Sequence, residues 1–455
     1  MAHGRAAPSC ERSVDVGRDV PVTGGRAPST GRTAMAVWTC AVVAYFVGVT
    51  HRTALGVAGV EAIDRFDLSA TGLAALSVTQ LAVYAGMQIP AGRLLDRFGP
   101  RAVITAGSLV MAAGQLVLSL ADTVPWALAA RVLIGAGDAG LFISAIRLVS
   151  EWFPARRVPV MVQITGLIGQ SGQLASAIPV AWLLHAQGWG ATFGALAAAG
   201  VVASVVAFVG IRSSGTVAPA APTKFVPAVR LAVKPAGTRL GFWSHFVTPF
   251  SANVVSLLWG VPFFITAQGR SRAEASLLLT ILTLTAMGAG PLVGRFTARH
   301  PLRRSWAVLT SCVVTLAAWV LLLVPSTPQP LWVLVVFVIA VGAGGPVSLV
   351  GMDFARTSTP AASLGTATGF VNTGGFISTI GAVLAVGVVL QLASPAGATT
   401  YSLDAYRLAF SSLLVPWVIG VVGVLHNRRL TRAHLLTQGT VVPPVRDVLE
   451  RRRRR

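Results

Sequence analysis

The residues of this chain that could do chemistry are few, and they stand where charge is expensive. Arg52, Arg131 and Asp138 fall inside long apolar runs, with His51 beside the first and His245 further along. A charge at the centre of a bilayer costs roughly 2.5–3.5 kcal/mol on insertion scales, so each needs a partner, water or a proton. Of the 15 acidic residues, our reading places only Asp138 inside a run. Arg131 and Asp138 are seven positions apart. That is two helical turns and about 10 Å along one face, too far for a direct pair. Asp138 therefore reads either as a proton carrier, with Arg131 on its face, or as half of a fixed ion pair with an arginine of a neighbouring helix. Arg52 reads as an anchor for an anionic substrate, its guanidinium meeting a carboxylate or phosphate in two hydrogen bonds, or as a side chain snorkelling to the outer surface. His51 suits proton carriage near neutral pH or an interhelical hydrogen bond, and His245 the hydrogen bond. Tyr84 and Gln88, four apart on one helix face, are candidate substrate contacts with Asn253 and Asn372. Trp259 suits either packing or closing over a ligand.

These residues must be positioned by membrane helices. The chain has 455 residues, of which 54% are hydrophobic and only 11% charged, which does not fit a soluble globular protein. Apolar runs at about 34–58, 71–92, 102–121, 125–148, 160–184, 190–211, 240–267, 273–294, 305–325, 330–352, 362–391 and 404–427 are each long enough for one crossing, and we read twelve transmembrane helices. The stretch Gly92-Arg93-Leu94-Leu95-Asp96-Arg97-Phe98-Gly99-Pro100-Arg101 joins the second and third runs and reads as a tight charged turn at the membrane surface. A degenerate echo, Gly294 to Arg303, begins 202 positions later, with Gly and three Arg in register. A repeat of that length implies two equivalent helical bundles.

The net charge of +21 invites a nucleic-acid reading, but the arginines sit between apolar runs and at the chain ends, so no nucleic-acid partner is expected. Connections on one side hold Arg93, Arg97, Arg101, Arg156, Arg157, Arg212, Lys224, Arg230, Lys234, Arg239, Arg295, Arg299, Arg303, Arg304 and Arg356, whereas the other side holds Arg65, Arg270, Arg272 and Arg407. Both termini are therefore expected in the cytoplasm. The organisation expected is a disordered tail over 1–33, a six-helix bundle over 34–211, a linker over 212–239, a second six-helix bundle over 240–428 and a basic tail over 429–455. The run Arg451 to Arg455 suits anionic lipid, or a solvated tail without a role. The three cysteines show neither metal-ligand spacing nor a disulfide framework. There is no phosphate loop, zinc pair or nucleophile elbow, so neither an enzyme nor a cofactor is expected.

The motifs resemble those of the major facilitator superfamily over about 34–428. Gly92-x-x-x-Asp96-Arg97-x-Gly99-x-Arg101 is similar to the family's signature between helices two and three, 294–303 to its second copy with Ala298 in place of the acid, and Arg131-x-x-x-Gly135-x-Gly137 to the helix-four motif. The resemblance implies an all-α membrane protein of two six-helix bundles around a central cavity, working by alternating access, with Asp96 and Arg97 as a conformational lock. His51-Arg52-x-x-Leu55, Gln88-x-Pro90-x-Gly92, Arg131 to Ala139 and Trp152-Phe153-Pro154 resemble the anion:cation symporter branch. That branch commonly has Asp-Arg and Glu-Ala where this chain has His51-Arg52 and Asp138-Ala139. The finer resemblance implies an anion-binding Arg52 and a proton-coupling Asp138. The function expected is proton-coupled uptake of a small organic anion. The alternative is proton-driven efflux of drugs or metabolites, although the antiporters' Gly-Pro pair is missing from helix five. A monomer in a bacterial cytoplasmic membrane is expected.

Overall fold

The computed structural model describes residues 31–68, 70–212, 214, 224–395 and 400–440. Every regular element among them is helical. Ten helical stretches are long and apolar enough to cross a membrane: Gly31–Val57, Ala75–Leu120, Val124–Trp152, Val158–Gly210, Ala236–Ala267, Arg272–Arg299, Arg304–Leu323, Leu331–Ser358, Ala361–Leu392 and Leu403–Thr437. Two of them are far too long for one crossing. Each is broken at a glycine with a left-handed backbone, Gly99 at φ 78° and Gly188 at φ 76°. Residues with a β-carbon rarely adopt that conformation, so glycine is what lets the chain reverse there without strain.

The outer surface carries large apolar side chains such as Leu120, Val202, Val209, Leu284, Leu392 and Val415, all more than half exposed or nearly so. On a soluble protein so wide a patch would drive aggregation, whereas lipid tails solvate it. Inside, one apolar cluster is built from residues between Leu240 and Val424 and another mainly from residues between Trp38 and Leu196.

Helix ends differ from the sequence reading, mostly at the arginine-rich end. The stretch read as a tight turn is helical through Phe98, with Gly99 alone out of line. Elsewhere the helices run on to Trp152, Arg299, Ser358 and Thr437. Hydropathy stops counting at the first charges, but the backbone does not: Arg, Leu and Glu are good helix formers once outside the apolar layer. A helix over Phe225–Val233 lies within the stretch expected to be a linker. The expected tails fall largely outside the described residues, Arg451 to Arg455 included.

The two halves of the chain meet closely. The Ala70–Leu120 helix packs on Leu364–Leu392, and Val158–Ala175 packs on Arg272–Arg299. Small residues permit the approach. A β-carbon on Gly92 would press on the Gly365 carbonyl, and one on Gly369 would press on the carbonyl of Gln88. Neither neighbour can give way, because both are backbone. Gly369→Val is therefore expected to lower stability by about 1–3 kcal/mol through overpacking. Gly288→Val, where added bulk meets open space, should leave the melting temperature unchanged. Melting curves of the detergent-purified variants check both, and equal melting would refute the close approach.

Candidate functional site

The site begins with a bidentate ion pair. Arg52 Nε lies 2.6 Å from Asp138 Oδ2 and its Nη2 lies 3.0 Å from Oδ1. Arg52 is carried by the Gly31–Val57 helix and Asp138 by the last turn of Val124–Asp138. Asp138 is fully buried, while the Arg52 side chain keeps 22% exposure. The sequence left open whether Asp138 pairs with a neighbouring arginine, and in this structure it does. Gly48, one turn before Arg52, leaves room for Leu141: a β-carbon there would lie 2.6 Å from Leu141 Cδ2, and 3.6 Å from Asp138 Oδ1, an ordinary contact.

Tyr84 forms the next layer. The Arg52 guanidinium carbon sits 4.6 Å from the centre of its ring, a cation–π contact. The other side of that ring meets Phe376 edge-on at 4.8 Å. One turn along, Gln88 Oε1 accepts from Asn372 Nδ2 at 2.8 Å. Residues 84 and 88 on one helix thus face 372 and 376 on the other, and both pairs join the two halves of the chain. Thr53 Oγ1 and Ser176 Oγ share a hydrogen bond of 2.7 Å on the Arg52 side.

Other expected site residues lie elsewhere. His51 is buried with both ring nitrogens unpaired, and its ring is what a β-carbon on Gly200 would meet, so it faces the Ala181–Gly210 helix. A helix turns 100° per residue, so adjacent positions cannot share the Arg52 direction. Asn253 donates to Thr379 Oγ1 at 3.0 Å, within the second half. Arg131 is buried and donates from Nε to the Leu76 carbonyl at 3.3 Å, while its Nη1 has no partner among the described residues. His245 Nδ1 lies 3.0 Å from the Ser348 carbonyl. Trp259 donates to the Val383 carbonyl at 3.0 Å.

A second cluster ties the halves together at the arginine-rich end. Asp96 accepts from the backbone amides of Gly365 and Thr366 at 2.7 and 2.8 Å and from the Thr366 hydroxyl at 2.6 Å. These are the first turn of Leu364–Leu392, where unsatisfied amides and the helix dipole favour an anion. The cation beside Asp96 is Arg147 at 2.7 Å, a residue not among the expected members of the lock. Arg97 is exposed and lies 5.1 Å from the Phe98 ring centre, and Arg101 is exposed over Phe208 at 4.3 Å. On a helix the side chain next to Asp96 points away from Asp96's partner. Arg147 also holds Glu151 at 2.8 Å.

The sequence reading missed Asp353. It was left outside the run ending at 352, yet the helix continues and Asp353 is buried. It accepts from Arg304 at 2.5 Å and from Arg356 at 2.6 Å. The signal was available: Arg356 follows at i+3, and Arg304 adjoins the echo of the first charged stretch.

The arrangement as a whole is that of an integral membrane protein with several crossings, paired ions in an apolar interior and two halves joined across a central seam. The pattern of the Major Facilitator Superfamily matches residues 38–383, and the chain belongs to that superfamily of membrane transporters. Its expected membership, and the expectation that it is not an enzyme, are thereby established.

Among curated proteins, the chain is 26% identical over 149 residues to "Probable sulfoacetate transporter SauU" of Cupriavidus necator, covering 33% of this chain and 35% of that protein. It is 29% identical over 163 residues to "Probable galactarate/D-glucarate transporter GarP" of Escherichia coli, covering 34% and 36%. The chain thus matches about a third of the length of these relatives. A longer match, 26% identical over 319 residues and covering 67% and 64%, is to "Fujikurins efflux protein" of Gibberella fujikuroi. Among solved structures, the fold is similar to the proton:xylose symporter XylE, with TM-score 0.65, 15% identity and coverage of 89% and 97%.

Breaking a buried ion pair costs more than removing it, because the surviving charge is left uncompensated. Asp138→Asn and Arg52→Met are each expected to destabilise by about 3–5 kcal/mol, less whatever water recovers at Arg52. The double variant Arg52→Met with Asp138→Asn should melt closer to wild type than the sum of the two single changes. Melting temperatures of the four proteins form the cycle, and additive losses would show that the two groups are not coupled.

Proposed function

We propose that this transporter takes up a small organic anion together with protons, through alternating access of the two halves. The Arg52–Asp138 pair carries the reading. Both donating edges of the guanidinium that meet Asp138 are occupied, so an incoming carboxylate or sulfonate has to displace it. A proton on Asp138 removes the competing charge and frees Arg52 for two hydrogen bonds to the substrate. Proton and anion then bind as a neutral set, which crosses an apolar interior more readily than either alone. Tyr84 steadies the guanidinium from behind, and Gln88 with Asn372 lies one turn away. The relatives named as sulfoacetate and sugar-acid transporters support an anionic substrate.

The topology proposed with it is twelve crossings, counting the stretches broken at Gly99 and Gly188 as two each, with both termini in the cytoplasm, in a bacterial cytoplasmic membrane, as a monomer. The two bundles are assigned to 34–211 and 240–428, joined over 212–239. Asp96, seated on the far helix and held by Arg147, acts as the lock on the cytoplasmic side. Gly92 and Gly99 give it room and turn, and Arg97 and Arg101 fix the topology. Asn253, His51 and Arg131 take no part in first contact with the substrate. A second reading, export, is favoured by the length of the match to the fungal efflux protein.

Proteoliposomes loaded at neutral pH and offered labelled carboxylates and sulfonates test the proposal. Uptake should rise as the external pH falls, because protonating Asp138 frees Arg52. Arg52→Ala should weaken uptake by about tenfold or more, the worth of a charge-assisted hydrogen bond. Asp138→Asn should retain exchange but lose proton-driven accumulation. Equal uptake by wild type and Arg52→Ala would end the anchor role, and extrusion of apolar compounds abolished by Asp138→Asn would favour export.

A further inference from the structure

We propose that the Phe225–Val233 helix is a membrane-surface element that binds the anionic phospholipid of the leaflet at the arginine-rich end of the molecule. This is independent of what the transporter carries.

The helix has two unlike faces. Ala228 and Ala232 are buried, and Ala232 belongs to an apolar cluster with Met352, Ala355, Ala367 and Val371. Through that face the helix packs on both Ala70–Leu120 and Leu364–Leu392, the two helices that Asp96 joins. The rest of its surface is open: Val226 is 71% exposed, Leu231 56% and Phe225 49%. Lys224, Arg230 and Lys234, all exposed, lie among them. No acidic residue occurs between Arg212 and Arg239.

A nine-residue helix with three large apolar side chains and three cations on its open side gains little in water. Placed at a lipid headgroup layer, the apolar chains reach the acyl boundary and the cations reach the phosphates. Position supports this occupant over a soluble acidic partner. Only Lys234 and Pro235 separate the helix from Ala236, where a membrane-crossing stretch begins, so it lies at the bilayer face. Charge complementarity selects anionic over zwitterionic lipid. Because the buried face rests on both partners of the Asp96 contact, lipid engagement would hold the helix against the closed junction.

Spin labels at Val226→Cys and Leu231→Cys, introduced separately into the full chain with Cys10, Cys40 and Cys312 replaced by Ala, test the placement. In bilayers of phosphatidylcholine with phosphatidylglycerol, both labels should be reached by oxygen and shielded from a water-soluble nickel relaxant. Water-like access, or dipolar coupling between labels from a second copy, would overturn the proposal. As a measurement free of the cysteine replacements, native mass spectrometry of the otherwise wild-type chain with phosphatidylglycerol should show binding weakened about tenfold or more in Lys224→Gln/Arg230→Gln/Lys234→Gln. Unchanged binding would overturn the lipid role of these cations.

Discussion

A buried carboxylate in an apolar interior has to be matched by a cation, and the matching of Asp138 by Arg52 is the constraint around which the first half is arranged. Gly48 makes room for Leu141 beside the pair, Tyr84 covers the guanidinium, and Phe376 of the second half meets the tyrosine edge-on. The pair is asymmetric in its access to solvent. The carboxylate is sealed and the guanidinium is not, so any exchange of partner has to come from the arginine's side. That asymmetry is what the proposed uptake mechanism relies on, since a ligand would meet the arginine first.

The junction at the arginine-rich end obeys the same electrostatics with different donors. Asp96 is satisfied chiefly by hydrogen bonds to a helix N-terminus belonging to the other half of the chain, with Arg147 as the charge partner from its own half. A single carboxylate thus reads both halves at once. The contacts at Gln88–Asn372, Tyr84–Phe376 and Gly92–Gly365 continue that seam from the junction toward the ion pair, along one face of each helix. The packing of backbone on backbone at Gly92 and Gly369 brings the two helices so close along the seam that a side chain at either position would force them apart.

Much of this was legible in the sequence because lipid imposes long apolar runs and makes interior charges conspicuous. Arg52, Asp138, Tyr84, Gln88, Asn372 and Asp96 stood out on those grounds, and the structure brings the first three into one layer and the last three into contacts between the halves. What could not be read was direction around a helix axis relative to neighbours whose placement depends on tertiary packing. His51 was grouped with Arg52 by adjacency, yet adjacency on a helix separates side chains. Asp96 and Arg97 were read together as a lock between helices, while the cation that Asp96 meets, Arg147, lies on another helix and was invisible without the fold. Asp353 was lost to a boundary drawn where hydropathy falls. The Phe225–Val233 helix was lost to the proline and alanine content of its surroundings.

The two copies of the charged stretch have diverged in a way that gives the molecule a handedness of action. Where the first copy has Asp96, the second has Ala298, and its neighbouring Arg304 is engaged by Asp353 and, through a short contact, by Thr357 of the same half. The charges of the second copy therefore stay within their own bundle, and what reaches across there is uncharged: Gly294 lies against Pro159 and Val160, and Gln163 donates to the Pro346 carbonyl. Opening at this end has to undo one charged fastening and one uncharged one, and only the charged one would feel salt.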